Sequence, residues 1–192
     1  MIALTFDDGP DPTWTPQILE VLESEGVVAT FCVVGSLVNR HEGLAKEIEA
    51  RGHMLCNHTS SHALLSGAPR AKVVSEVNGG ADSLKAVTGV EAAFYRPPGG
   101  QVSPTVVAVA HERGQRVLHW TLDAIDYRRP PAEALAERVI RNVGPGAVVL
   151  MHDGGGDRSQ TVAALRLIIR ALHAQGYSFT TPAAPSPAPS VR

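Results

Sequence analysis

Two adjacent aspartates, Asp7 and Asp8, follow the first apolar run of the chain in the segment TFDDGP. Two like charges at the end of a buried strand repel each other, so one of them must be neutralised or lie beside a cation. The alternative is a solvated turn, because Asp, Gly and Pro are common turn residues. The two carboxylates alone do not decide between a cation site and a turn.

Two histidines, His58 and His62, are spaced by four residues in the segment HTSSH. On a helical turn this spacing would place both imidazoles on one face, within reach of one metal ion. The spacing alone is a weak indication, but a carboxylate from another strand end would complete a set of two histidines and one carboxylate. Such a set leaves coordination positions open, which is typical of a catalytic metal. One aspartate of the pair could then bind the metal and the other lie beside it.

The elements that must position these residues alternate along the chain. Apolar, largely β-branched runs predict strands at residues 2–6, 27–34, 53–56, 93–95, 116–120, 147–151 and 177–180. Helical spacing of apolar residues predicts helices at residues 15–24, 42–51, 70–88, 104–113, 131–143 and 157–174. Continuous apolar strands that alternate with helices indicate an α/β protein with a parallel sheet covered on both faces. A closed (β/α) barrel and a doubly wound sheet both fit this pattern.

Polar or glycine-rich segments follow five of the predicted strands. They are the paired aspartates, Asn57 with HTSSH, YRPPGG at 95–100, TLDAIDY at 121–127 and MHDGGG at 151–156. Because active residues of parallel α/β folds lie at the carboxyl ends of strands, we expect these segments to meet at one end of the sheet. Solvated loops would explain one or two of them, but explain five poorly.

The motifs TFDDGP, HTSSH, YRPPGG, DAIDY and LMHD occur in this order along the chain. In residue types and order, the chain resembles the carbohydrate esterase family 4 polysaccharide deacetylases, the NodB-homology domain. The resemblance covers residues 1–180 and implies a distorted (β/α) barrel with about seven parallel strands. It also implies metal-dependent removal of N- or O-acetyl groups from a glycan.

The resemblance assigns roles to individual residues around the reacting group. Asp8, His58 and His62 would hold the metal. Asp7 would be the general base that deprotonates the attacking water, and Arg96 would pair with Asp7 and orient it.

The general acid implied by the resemblance is His152, which would protonate the leaving amine or alcohol. Asp123 would hold His152 in its charged form, so we expect a raised pKa for His152. Asp123, and more readily Asp126, could instead be a helix-capping turn residue. An acid and a base with separated pKa values predict a bell-shaped pH profile of kcat/KM.

The predicted oxyanion and substrate-binding residues are Pro98, Gly99, Tyr127 and Trp14. The backbone amide of Gly99 would help to stabilise the oxyanion. Gly99 and Tyr127 depart from the commoner family pattern, which has an aromatic residue and a Trp at these positions. Trp14 is the predicted sugar contact, although its loop could equally pack on the barrel, and Trp120 is predicted to lie in the core.

The resemblance leaves several substrates open. We expect an N-acetylglucosamine glycan, such as chitin, a chito-oligosaccharide or peptidoglycan, with O-deacetylation of acetylxylan as the alternative. The alternative of another class is an inactive glycan-binding module. Zinc is the expected divalent metal, although cobalt, nickel and iron(II) also suit two histidines and one aspartate.

Composition excludes some classes of partner. The net charge of −2 and the lack of a basic stripe argue against binding to nucleic acid. The sequence contains no run of eighteen apolar residues, so no membrane span is predicted.

We expect a monomer. The chain opens on a core strand, so we expect a secreted or cell-wall associated protein whose export signal has been removed, with a cytoplasmic location as the alternative.

The sequence divides into a catalytic domain at residues 1–181 and a Pro/Ala/Ser-rich segment at 182–192. That composition predicts a disordered tail or a linker, beyond which a further domain could follow.

Cys32 and Cys56 each lie in an apolar run and are predicted to be buried free thiols. A disulfide between them stays open, because its geometry cannot be judged from sequence.

Overall fold

The computed structural model of the protein describes residues 1–183. The segment predicted as a tail, 182–192, lies outside these residues from position 184 onward. The strands are β1 (Ala3–Asp7), β2 (Thr30–Val33), β3 (Met54–Asn57), β4 (Phe94–Tyr95), β5 (Arg116–Val117), β6 (Leu122–Asp123) and β7 (Val148–His152). The helices are α1 (Trp14–Ser24), α2 (Gly35–Arg40), α3 (Glu42–Ala50), α4 (Arg70–Thr88), α5 (Pro104–Glu112), α6 (Ala132–Asn142) and α7 (Ser159–Ala174).

All seven strands pair in parallel, in the order β5-β4-β3-β2-β1-β7-β6. The sheet curls into an incomplete barrel, and within residues 1–183 no ladder joins β5 to β6. The distorted barrel with seven parallel strands is therefore confirmed. The doubly wound alternative is wrong, because the strand order follows the chain around a barrel.

The central strand β1 is buried along its whole length, since β2 and β7 flank it. Its side chains pack against helix residues whose spacing was visible in the sequence, such as Ile18 and Leu22 of α1, both fully buried. Phe6 of β1 stacks on Phe31 of β2 with ring centroids 5.2 Å apart. This apolar centre gives the strand ends a rigid base.

Three elements differ from the sequence prediction. Helix α2 begins at Gly35, directly after β2, in a segment that the apolar pattern does not mark as helical. Strand β6 lies in the segment TLDAIDY, which the sequence predicts as a loop. The last predicted strand is reduced to a single bridge between Ile2 and Phe179.

The two cysteines occupy paired positions on β2 and β3, and both are buried free thiols. Burial raises the pKa of Cys32, and the neighbouring Cys56 thiol adds to this effect. The prediction of buried thiols is therefore confirmed.

Within residues 1–183, no helix combines the length and apolar character needed to cross a membrane.

Candidate active site

The functional candidates lie at or directly after the carboxyl ends of neighbouring strands. Asp7 ends β1, and its register partner on β7 is His152. Asn57 ends β3 and precedes His58, while Tyr95 ends β4 and precedes Arg96. The fold therefore places the predicted base and acid side by side and brings the histidine segment toward them.

Asp7 is held by a buried arginine. Arg96 is fully buried, and its Nη1 donates a hydrogen bond of 2.6 Å to Asp7 Oδ1 and one of 2.8 Å to Thr5 Oγ1. Its Nε donates to the carbonyl of Leu118 at 3.2 Å. The contact expected between Arg96 and Asp7 is present, and it fixes one oxygen of the base while the other faces the pocket. This second oxygen lies 3.9 Å from Nε2 of His58.

Asp8, His58 and His62 form a compact cluster. Asp8 Oδ1 lies 2.9 Å from His62 Nε2 and 3.3 Å from His58 Nε2, and one ligand atom from each residue lies within 4.8 Å of the others. Burial acts to raise the pKa of Asp8, but hydrogen bonds from the two histidines hold it well below its ordinary value. The hydrogen bond to Asp8 raises the pKa of His62. The strongly paired carboxylate shows that this corner of the pocket favours positive charge.

The donor set fits a divalent metal. His58 Nδ1 donates its hydrogen to the backbone carbonyl of Arg96 at 2.6 Å, so Nε2 is the ring nitrogen that faces the cluster. Such an outer hydrogen bond fixes the tautomer and the ring orientation of a metal-binding histidine. Two imidazoles and one carboxylate are ligands that suit zinc and other first-row divalent ions.

The segment between the two histidines is not helical, contrary to the helical turn considered from their spacing. Thr59 and His62 have positive φ angles of 68° and 61°, and Asp8 has one of 75°. The left-handed conformations of Thr59 and His62 turn the histidine loop, and that of Asp8 turns the loop after β1, and both imidazoles lie beside the Asp8 carboxylate. Strained backbone of this kind is concentrated at functional sites.

The carboxylate that holds His152 is Asp126, which corrects the assignment of Asp123. His152 Nδ1 lies 2.7 Å from Asp126 Oδ1, and Asp126 Oδ2 accepts hydrogen bonds from the His152 backbone N–H and from Thr161. Asp123 instead accepts the backbone N–H of Ile125 at 2.7 Å, which is a turn contact. A left-handed Ile125 (φ 59°) begins the short 3₁₀ turn that carries Asp126 back toward β7.

The pKa of His152 is raised, as predicted, although the partner differs. Burial acts to lower this pKa, but the hydrogen bond and the charge of Asp126 outweigh it, and the charges of Asp7 and Asp8 add to the effect. A protonated His152 is therefore favoured in the pocket. Nδ1 is bonded to Asp126, so Nε2 is the nitrogen that can donate a proton to a bound substrate.

These groups line one pocket of about 290 Å³. Its lining residues are Asp7, Asp8, His58, His62, Gly99, Gly100, Trp120, Asp123, Tyr127, Leu150 and His152. The site candidates outside this lining are Arg96, Pro98 and Trp14. Pro98 is buried in the turn behind Gly99, and Trp14 begins α1. The sugar contact expected of Trp14 stays a prediction.

Trp120 belongs to the pocket wall, whereas the sequence predicts a core residue. Its indole ring lies 5.7 Å from the guanidinium carbon of Arg96 and packs directly over Gly100, where a Cβ would come within 2.4 Å of the ring. Tyr127 also lines the pocket and is 45% exposed, and its ring stands nearly perpendicular to that of His152 with the ring centroids 5.7 Å apart. The pocket thus offers two aromatic walls to a ligand.

Asp153 is a buried group to which the sequence assigns no role. Its Oδ2 accepts the hydroxyl of Thr15 at 2.6 Å, and it packs so closely on Gly9 that a Cβ there would come within 2.1 Å of the carboxylate. Burial, with the nearby charges of Asp8 and Asp7, raises the pKa of Asp153 to about 7. Its carboxyl group packs against the loop that follows Asp8.

Comparison with known proteins agrees with this geometry. The polysaccharide deacetylase family matches residues 1–118. A peptidoglycan-N-acetylglucosamine deacetylase of Bacillus cereus is 40% identical over 94% of this chain and 85% of its own length. A chitooligosaccharide deacetylase of Sinorhizobium fredii is 35% identical over 92% of this chain and 87% of its own length.

Among solved structures, a mutant of a carbohydrate esterase family 4 pseudoenzyme from Bacillus anthracis, with restored enzymatic activity, superposes with a TM-score of 0.88. It is 32% identical, and the match covers 93% of this chain and 64% of that one. Substitutions can thus restore activity in that protein, so its fold alone does not decide activity. By sequence and structure, the present chain belongs to the polysaccharide deacetylase family, carbohydrate esterase family 4.

Proposed function

We propose that this protein is a metal-dependent hydrolase that removes the N-acetyl group from N-acetylglucosamine units of a glycan. The observation that carries the proposal is one pocket that holds an arginine-bound carboxylate, a two-histidine cluster and an aspartate-bound histidine. Relatives named for peptidoglycan N-acetylglucosamine and for chitooligosaccharide support this class of substrate.

Asp8, His58 and His62 would hold the metal, for which zinc is our proposal. When bound there, a divalent ion would supply Lewis-acid activation of water and of the acetyl carbonyl. His62 is the most exposed of the three side chains, at 44%, so the cluster is open toward the pocket. That opening leaves room for water and substrate.

Asp7 would act as the general base. Arg96 occupies its Oδ1, and its Oδ2 faces the metal cluster, so the free oxygen can accept a proton from the attacking water. Attack on the carbonyl carbon forms the new C–O bond and a tetrahedral oxyanion. The backbone N–H of Gly99 would donate to this oxyanion, since Gly99 lines the same pocket.

His152 would act as the general acid. As the C–N bond breaks, Nε2 gives its proton to the departing sugar nitrogen, and the products are acetate and a free amine. Asp126 orients the ring and stabilises its protonated form before this step. Trp120 and Tyr127 would form the walls against which the sugar packs.

The direct test is acetate release from chitopentaose, peptidoglycan and acetylxylan by metal-stripped protein, with and without added zinc. We expect zinc-dependent release from at least one N-acetylglucosamine substrate, with release abolished in Asp7→Ala and His58→Ala. Release from acetylxylan alone would replace N-deacetylation by O-deacetylation. Glycan binding without any acetate release would support the inactive binding module instead.

A further inference from the structure

A buried glutamate on α4 contacts the metal-binding loop without belonging to the mechanism above. Glu76 is only 4% exposed. Its Oε2 accepts the backbone N–H of Ser61 at 2.9 Å, and its Oε1 accepts the Ser61 hydroxyl at 2.8 Å. Lys72 also donates to Oε1, at 2.7 Å, from the solvent side. Ser61 directly precedes His62, so the carboxylate is one residue away from a proposed metal ligand.

Each residue between the two histidines is tied to a neighbouring element. The Thr59 carbonyl accepts from Gly35 N at 2.9 Å, and the Ser60 carbonyl accepts from Ser36 N at 2.8 Å. Ser60 N donates to the backbone carbonyl of Glu76 at 2.9 Å. These contacts join backbone groups, so they do not depend on the residue type at these positions. The contact at Ser61 depends on the Glu76 side chain and therefore on this residue type.

The close approach of α4 to the loop requires small residues. A Cβ at Gly80 would lie 2.2 Å from Asn57 Oδ1 and 2.7 Å from the Thr59 carbonyl oxygen, and a Cβ at Gly79 would lie 3.2 Å from Ser60. Two glycines inside a helix cost about 1 kcal/mol each in helix propensity. That cost is consistent with selection for tight packing of α4 against the loop.

We propose that Glu76 is a positioning residue for the metal centre, which it serves by fixing Ser61 and thereby the orientation of His62. The proposal rests on the proposed metal site. His58 has its own constraints, since it is buried and bonded to the Arg96 carbonyl. His62 is 44% exposed and lies in a left-handed conformation, so the backbone on its N-terminal side must hold it in place.

Three variants separate this role from a general contribution to stability. Glu76→Ala removes both contacts to Ser61, and Glu76→Gln keeps the size but can accept only one of them. Lys72→Met is the matched control, because it breaks the ion pair on the solvent side and leaves both Ser61 contacts in place. The readouts are the zinc dissociation constant of metal-stripped full-length protein, from competition with a chromophoric chelator, and the melting temperature without metal.

We expect both Glu76 variants to weaken zinc binding by about 10- to 100-fold, the range typical of residues that orient metal ligands. Lys72→Met should stay within about threefold of the unmodified protein, on the same reasoning. A purely structural role would lower the melting temperature of the metal-free Glu76 variants and leave their zinc affinity unchanged, which would overturn the proposal. Ser61→Ala decides the matter if Glu76→Ala does not fold, since it removes the hydroxyl contact alone and should weaken zinc binding in the same direction.

The test also separates this proposal from the proposed function. If the unmodified protein binds no zinc, cobalt or nickel, the metal site itself fails, and the role of Glu76 fails with it. If it binds zinc and the folded Glu76 variants bind zinc equally well, only the positioning role is wrong.

Discussion

The base side and the acid side of the pocket are built differently. On the base side, Asp7 and Arg96 come from β1 and from the end of β4, 89 residues apart, and both are buried. On the acid side, the His152 side chain is 13% exposed, and its orientation depends on one carboxylate from a turn after β6. The base side is therefore an ion pair enclosed in the core, whereas the acid side is a partly exposed histidine held by a buried carboxylate.

This difference predicts how substitutions divide between stability and chemistry. Removing one partner of the buried Asp7–Arg96 pair leaves a charge without its partner in the core, which costs several kcal/mol. A conservative change on the acid side should leave the barrel intact and alter proton donation alone. The two sides can therefore be separated by pairing each activity measurement with a melting curve.

The largest effect on activity is expected for Asp7→Asn. The substitution keeps the shape and a hydrogen-bond acceptor for Arg96 but removes the proton acceptor, so kcat should fall by about 10³-fold, within the range for general bases. Zinc content, measured on the same sample, should stay near that of the unmodified protein, because Asp7 is not among the proposed ligands. A kcat within tenfold of the original would place the base elsewhere.

The next effect tests the partner of the acid. Asp126→Asn should lower kcat by about 10²-fold, because the amide cannot stabilise a protonated His152 as a carboxylate does. Asp123→Asn should cost less than about fivefold, since Asp123 caps a turn and only lines the pocket. Thr161→Val is the matched control, because it removes the other side-chain hydrogen bond to Asp126 and leaves His152 in contact. Equal losses in both aspartate variants would contradict the assignment.

The contrast between the two sides also explains what could be predicted from sequence. Asp7, Asp8 and Arg96 lie at or just beyond the ends of apolar strands, and a parallel sheet brings such positions together whatever the loops do. The parallel sheet and the gathering of these residues at one end of it were therefore predictable from the strand pattern, whereas the barrel was implied by the family resemblance. The resemblance supplied the individual roles.

Residues placed by irregular backbone could not be predicted in the same way. Asp123 and Asp126 are three residues apart in one polar segment, and only the left-handed turn at Ile125 decides which reaches His152. The spacing of His58 and His62 would suit one face of a helical turn, but a loop held by Glu76 brings them together. Trp120 was predicted to lie in the core, and its place on the pocket wall depends on Gly100, which leaves room for the ring.

A smaller effect concerns the pH profile on the acid side. Burial acts to lower the pKa of His152, but Asp126 raises it above its ordinary value of about 6.5. The protonated form is the proton donor, so activity should persist below this raised pKa and fall as the pH rises through it. In Asp126→Asn the basic limb of kcat/KM should move to lower pH, because the neutral amide does not stabilise the protonated ring as the carboxylate does. An unmoved basic limb, measured with zinc saturating at every pH, would assign that limb to another group.

The smallest effect separates two tryptophans by the length of the substrate. Trp120 lines the pocket and lies over Arg96, so Trp120→Ala should raise KM for a small acetyl ester and for chitopentaose alike, by about 3- to 10-fold, as expected for loss of roughly 1 kcal/mol of aromatic contact. Trp14 begins α1 outside the pocket lining, so Trp14→Ala should raise KM for the oligosaccharide alone, by about twofold to threefold on the same scale. The measurement is the steady-state KM of the unmodified protein and of both variants on each of the two substrates. An unchanged KM on chitopentaose in Trp14→Ala would show that the glycan does not reach this residue, and would confine sugar recognition to the walls around the acid and the base.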